Sequence, residues 1–287
     1  MKSGYPNGFE FIEGLAKELS AKNLVFPTSL NVTMSIRSAL SDPDSSAEKV
    51  AHIVGAEPVL SAQLLRLANS VAINMGNKKI TDLHTAITRL GYALVRNVAI
   101  SVGMRQLTEA DPHYAAHPRI NGLWKHSILV AALAFVLAKK KTRLSPDEAM
   151  LAGMLHDIGK FYILYRAKNY PDLFADESAL DEIIWQWHAE ISQVILESWE
   201  IPEEIAIAAR DHEFLDHNHG HPGPADLTDV VMVANILGCQ DKPGIPDGFN
   251  WETAPSAFER LQLNAETCIE VVKESEEEIQ LITQALA

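Results

Sequence analysis

Apolar residues in this chain recur every three to four positions and almost nowhere every two. "EPVLSAQLLRLANS" (57–70) places Val59, Leu60, Leu64, Leu67 and Ala68 along one side of a helix. "SSAEKVAHIV" opens with Ser45 and carries Glu48 three positions on, a capping-box pattern. "TDLHTAITRLG" runs from a Thr81 cap to Gly91 as a stop, and "YALVRNVAISVGMRQL" follows at once. The clearest start is Ser145-Pro146-Asp147-Glu148, an N-cap, a proline at the first helical position and a closing glutamate. The helix it launches is expected to carry on through "LAGMLHDIGKFYI". Further helices are predicted near 180–199, from Pro202 to about Asp211, and over about 227–240 and 264–286. No stretch alternates long enough to demand a strand. The expectation is an all-α protein in two lobes, 1–112 and 113–287. The polar turn "LTEADPHYAAHPRIN" (107–121) forms the seam.

Composition narrows the partners. Hydrophobic residues make up 47% of the 287, enough for a sizeable core, and the formal charge is -14 at pH 7. Such a surface repels phosphate backbones, and "AKKKTR" (138–143) is a short run suited to a helix C-terminus, so nucleic-acid binding is not expected. The two cysteines, Cys239 and Cys268, offer no disulfide framework. The start "MKSGYPNGFEFIEG" lacks an apolar h-region, and the longest apolar run, "ILVAALAFVLA" (128–138), reads as a buried helix too short for a bilayer. A cytoplasmic protein without membrane contact is the expectation.

The chemistry starts at His156-Asp157, with Lys160 one turn later, in an otherwise apolar segment. On one helix His156 and Lys160 would be i and i+4, with Gly153 on the same stripe letting another group approach as a site wall. Imidazole and carboxylate both bind borderline divalent ions, but two ligands do not make a site. Partners must come from other apolar helices: His126 in "LWKHSILVAALAF", His188 in "WQWHAEISQVILESW", His212 after "IPEEIAIAARD", and Asn235 in "VVMVANILG". Taken singly, each is most simply a core polar group satisfied by a backbone carbonyl. The order of all of them behind an HD pair is harder to explain that way.

That order, His126, His156-Asp157, His188, His212, Asn235, resembles the HD superfamily of metal-dependent phosphohydrolases, particularly its HD-GYP branch. "LSDPDSSAEKVAHIVGAEPVLSAQLLRLANSVAIN" followed by "ITDLHTAITRLGYALVRNVAIS" narrows the resemblance to the HDOD domain, over roughly residues 20–240. The resemblance implies an all-helical fold with an HD-phosphohydrolase-like C-terminal lobe, and a role in bacterial signal transduction. It also implies a divalent cofactor (Mn, Fe, Zn or Mg). Asn235 stands where active HD enzymes have an aspartate. The pair Asp211-His212 stands where HD-GYP has two histidines, and GYP becomes Gly220-His221-Pro222. The literal Gly4-Tyr5-Pro6 is at the wrong end of the chain.

Two functions follow. The favoured one is a regulatory domain with a partly degenerate metal pocket, acting on a signalling protein partner or a nucleotide or phosphate ligand. The alternative is a metal-dependent phosphohydrolase. His126, His156 and Asp157 would then hold one ion and His188, Asp211 and His212 a second. Asp157 would bridge them, and Lys160 would steady the phosphate. Lys160 reads equally well as an ion-pair partner of Asp157. His217, His219 and His221 read first as a polar loop and second as an adventitious metal site. The stripe Ile269, Val272, Ile279, Ile282 fits either self-association or packing on its own domain.

Overall fold

A computed structural model describes residues 6–21, 46–70, 74, 79–109, 118–215, 223–240 and 242–287. Among them every regular element is a helix. The first five are α1 (Pro6–Ser20), α2 (Ala47–Gly55), α3 (Pro58–Ala68), α4 (Leu83–Leu90) and α5 (Tyr92–Glu109). Two caps fall one residue later than predicted. Ser46, not Ser45, accepts from the Lys49 amide, and Asp82, not Thr81, accepts from that of Thr85 at 2.8 Å. A carboxylate at the cap outbids the neighbouring hydroxyl, because the bond is charge-assisted and lies on the positive end of the helix. Gly91 ends α4 at φ 77°, a conformation that strains any residue with a Cβ. Asn69 bonds the Leu65 carbonyl and both backbone groups of Ile80, stapling the approach to α4 onto the end of α3.

The remaining helices are α6 (Pro118–Lys141), α7 (Pro146–Leu155), α8 (Ile158–Ala167), α9 (Pro171–Ala175), α10 (Glu177–Ser198), α11 (Glu203–Asp211), α12 (Leu227–Leu237), α13 (Ser256–Arg260), α14 (Ala265–Glu274) and α15 (Glu276–Leu286). The predicted 264–286 helix is thus two, broken at the buried Ser275. Much of the 107–121 seam lies outside the described residues, as do Ser45 and residues 216–222.

α6 is the axis of the C-terminal helices, packed by α7, α12 and α15. Arg119–Lys141 is long and apolar enough to pass a length-and-composition test for a membrane span, further than the run 128–138 suggested. The packing on three sides is how a core helix passes the same test. One hydrophobic core runs from Phe11 and Leu15 through Leu64 and Val98 to Ile282 and Leu286, so the N-terminal and C-terminal helices share it. α15 joins them: the Gln63 amide donates to the Ala285 carbonyl, Arg66 to Gln284 and the Ser101 hydroxyl to Leu286. α1 docks on α9 and α10, and its Glu18 takes bonds from Tyr162 and Arg166 of α8.

Candidate metal centre

The helix launched by Ser145 does not run through the HD pair as expected. α7 ends at Leu155, His156 is its C-cap, and Asp157 (φ -103°, ψ 17°) precedes α8. Two glycines set this break against its neighbours. A Cβ on Gly153 would lie 2.8 Å from the Val130 carbonyl oxygen, so Gly153 lets α7 cross α6 closely and is no site wall. A Cβ on Gly159 would lie 2.1 Å from the His188 carbonyl oxygen, so α8 can cross α10 at that point only without a side chain. Ser192 clamps the crossing, accepting from the Gly159 amide at 2.9 Å and donating to the His156 carbonyl at 3.2 Å.

Four histidines meet there with their outer nitrogens already engaged. Nδ1 of His126 faces the Gly238 carbonyl at 3.1 Å, that of His156 the Gly153 carbonyl at 2.7 Å, that of His188 Ile184 at 2.8 Å and that of His212 Ala209 at 2.9 Å. A carbonyl can only accept, so each Nδ1 donates and each neutral ring keeps its lone pair on Nε2. All four Nε2 atoms turn inward. Those of His126 and His156 are 3.2 Å apart, and Asp157 Oδ2 is 3.2 Å from His156 Nε2 and 3.8 Å from His126 Nε2. On the other side Asp157 Oδ1 is 3.6 Å from His212 Nε2, and Glu213 reaches His212 at 3.6 Å and His188 at 3.4 Å. Two groups of ligand atoms result, His126–His156–Asp157 and Asp157–His188–His212–Glu213, with Asp157 common to both.

Lys160 lies at the edge of the second group. Its Nζ is 2.9 Å from Asp157 Oδ1 and 3.0 Å from Glu213 Oε1, with the side chain 17% exposed. The two carboxylates outweigh burial and raise its pKa. Burial is the largest influence on His156 and takes its pKa down to about 4, so the ring is neutral. Burial also opposes the charge on His212, but Asp157 and Glu213 together overcome it and hold the pKa up at about 9. Glu213 is ionised, pulled down to about 2 by His212 and Lys160 against the cost of burial. Burial works against the charge on Asp157, but His156 first, and then His212 and Lys160, hold it well below the carboxylate range.

These residues fit a divalent ion. Both oxygens of Asp157 and the Nε2 atoms of His188 and His212 are buried without a hydrogen bond among the described residues, Asp157 Oδ1 meeting Lys160 as an ion pair at 2.9 Å. Orphaned buried polar atoms of this kind cost stability unless a partner meets them. Backbone carbonyls behind imidazoles are the usual outer support of metal ligands, fixing tautomer and ring direction. The donor set of imidazoles and carboxylates suits Zn, Mn or Fe.

His126, His156, Asp157, His188, His212 and Lys160 are thus brought together. Asp211 is not: Arg210 takes its carboxylate with bonds of 2.6 and 2.7 Å, away from the ligand groups. Glu213 stands in the second group instead, a residue that sequence reasoning did not name as a ligand. Asn235 lies on α12 one turn before Gly238 and takes no part in the bonds that join the histidines. A signal for Glu213 did exist. His156-Asp157 and His212-Glu213 are the same device used twice: a histidine caps a helix, returns Nδ1 to the carbonyl three residues back, and is followed by an acid.

The HDOD domain family model matches residues 26–214. An uncharacterized protein of Treponema pallidum (strain Nichols) is 26% identical over 220 residues, 71% of this chain but 40% of that protein's length. A "Putative metal-dependent phosphohydrolase" of Shewanella amazonensis SB2B superposes with a TM-score of 0.75 at 23% identity, covering 99% of this chain and 100% of the other. An HDOD domain protein with unknown function from Geobacter sulfurreducens gives 0.64 at 20% identity, covering 98% and 97%. A "Putative signal transduction protein" of Marinobacter aquaeolei VT8 gives 0.63 at 21%, covering 98% of this chain and 66% of the other.

Proposed function

This chain belongs to the HDOD domain family, and on that premise we propose that it is a regulatory protein of signal transduction. In this reading its helical core holds one divalent ion, and it acts by binding a protein partner or a phosphate-bearing ligand rather than by turnover. The observation that carries this is the position of Lys160. Its ammonium lies within 3.0 Å of Asp157 Oδ1 and Glu213 Oε1, the oxygens a second ion would need. An ammonium and a dication that close would repel by several kcal/mol even at a surface-like dielectric. His126, His156 and Asp157 remain for one ion, with His212 beside them.

The ion would supply Lewis acidity toward a phosphoryl or carboxyl oxygen. The chain's own groups do the rest: four backbone carbonyls hold the imidazoles in place, Asp157 supplies the negative charge, and Lys160 offers an ammonium to an arriving anion. Elemental analysis of protein incubated with manganese, iron or zinc and then desalted should give about one ion per chain, and none in Asp157→Ala. About two ions per native chain would refute the reading.

A metal-dependent phosphohydrolase acting on a nucleotide or cyclic dinucleotide is the second reading. It is favoured by the inward Nε2 atoms of all four histidines and by the partial exposure of Lys160, His126 and Glu213. The names carried by the Shewanella and Marinobacter proteins frame these same two possibilities. Manganese-dependent release of p-nitrophenol from bis(p-nitrophenyl) phosphate or of phosphate from nucleotides, lost in Asp157→Ala, would establish it over the first.

A further inference from the structure

Behind His126, on the side away from the cluster, lies a cavity of about 910 Å³. It is a groove between the first half of α6, the chain following α12 and the helices α14 and α15. Ile128, Leu129, Ile269, Val272 and Ile279 form its walls, and Lys125, Lys242 and Lys273 stand along its edges. The lysines are conspicuous in a chain of net charge -14. Nearby Lys139 and Lys140 are each neutralised, by Glu278 at 2.7 Å and Glu274 at 2.8 Å. Lys125, Lys242 and Lys273 have no carboxylate partner among the described residues. Glu276 also lines the groove and accepts from Gln280 at 3.4 Å. At the rim Ile269 is 63% exposed.

We propose that this groove binds a small amphiphilic anion, a ligand with an aliphatic or aromatic body and a carboxylate or phosphate head. The volume falls in the range of small-molecule pockets, roughly 300–1,000 Å³, and mostly apolar walls with a few charged groups are the usual lining. The walls exclude water from the body of the ligand while the unpaired ammonium groups meet its head. A second copy of the chain is a poorer occupant. Ile279 and Ile282, which would continue the apolar stripe, are 4% and 8% exposed and already packed in the chain's own core. That leaves too little for the roughly 800 Å² per partner of a stable interface. The proposal does not depend on metal. The groove does touch His126 and Gly238, the pair joined by the Nδ1 bond, so an occupant would lie against the outer face of a candidate metal ligand.

Cys239 lines the groove and is exposed, so its alkylation reports occupancy. The native chain is titrated with 8-anilinonaphthalene-1-sulfonate, itself an aromatic anion, and the dye is displaced with decanoate, decyl phosphate or neutral decanol. Displacement by either anion at concentrations where decanol fails, together with slower alkylation of Cys239, supports the site, and the tighter anion identifies the head group. The exposed double variant Lys242→Gln, Lys273→Gln should bind the anion about tenfold or more weakly while melting like the native chain. Equal displacement by decanol, unchanged affinity in the double variant, or unprotected Cys239 would overturn the proposal. A dimer in sedimentation that dissociates in Ile269→Ser would overturn it too, by assigning the face to a second copy.

Discussion

Replacing Lys160 with methionine tests the idea that this ammonium stands in for a metal ion. The substitution keeps most of the apolar stem and removes the ammonium with its charge and its donors. Asp157, buried, and Glu213, 28% exposed, then lose the cation that lies 2.9 and 3.0 Å from their oxygens. Removing one partner of a buried ion pair costs roughly 3–5 kcal/mol, and the partial exposure of Glu213 favours the lower end. At roughly 2–4 °C per kcal/mol for a chain of this size, metal-free Lys160→Met should melt about 6–12 °C below the native protein. Manganese should then act differently on the two. The variant offers Asp157, Glu213, His188 and His212 as a vacant second site, and an ion at a hundred times its Kd contributes about 2.7 kcal/mol there. The assay is a pair of thermal melts in chelator and in excess manganese. The gap between native and variant should open in chelator and largely close with the metal. A variant that melts with the native protein in chelator, or a gap that manganese leaves unchanged, would refute the reasoning.

Gly159→Ala forces a methyl to within 2.1 Å of the His188 carbonyl oxygen, so α8 and α10 must part. A loss of about 3 kcal/mol or more by urea denaturation is expected, together with weaker metal retention. Arg260 makes a two-pronged pair with the fully buried Asp229, which also exchanges two bonds with Asp226 to close the N-cap of α12. Arg260→Met should cost about 3–5 kcal/mol in the same denaturation assay. The metal-free protein should be most stable near pH 6.5, measured as melting temperature against pH in chelator. Below 6.5 the unfolded chain takes up a proton that His156 refuses until about pH 4, and Glu213 adds a loss as pH falls from 4.5 toward 2. Above 6.5 the folded chain holds a proton on His212 that the unfolded chain has released, so that contribution fades as pH rises through about 9.

Much of this was legible in the chain because local rules and tertiary packing agree. Ser145 caps α7 by accepting from the Glu148 amide, as its four-residue signature predicts, and the stripe of α3 buries Leu60, Leu64 and Leu67. Reading failed where long-range geometry decides. Nothing in "LAGMLHDIGKFYI" marks the break at His156, since both flanks are good helix and the bend is fixed by Gly159 against α10 and by Ser192. Asp211 drew attention over Glu213 because the pair Asp211-His212 stands where the resembling HD-GYP branch has two histidines. Its neighbour Arg210 captures it, and the turn after His212 brings Glu213 round instead. Of the C-terminal stripe, Ile279 and Ile282 pack within their own domain and Ile269 does not.

Charge accounting ties the metal-free and metal-bound states together. Without metal, Asp157 and Glu213 are ionised and Lys160 and His212 are protonated, so the buried cluster sums to zero. That neutrality explains how the chain tolerates so many titratable groups at the junction of α7, α8, α10 and α11. A divalent ion needs the Nε2 lone pair of His212 only if it reaches past Asp157, and taking it releases the proton held up to about pH 9. With one ion bound and that proton gone, the cluster carries +1. A second ion would bring it to +3 with Lys160 still in place, an arrangement that burial opposes strongly. A single positive charge, half-shielded behind His126, Lys160 and Glu213, is instead suited to drawing in one anionic group. Metal uptake would then convert a neutral knot of side chains into a site of net positive charge that draws an anionic group.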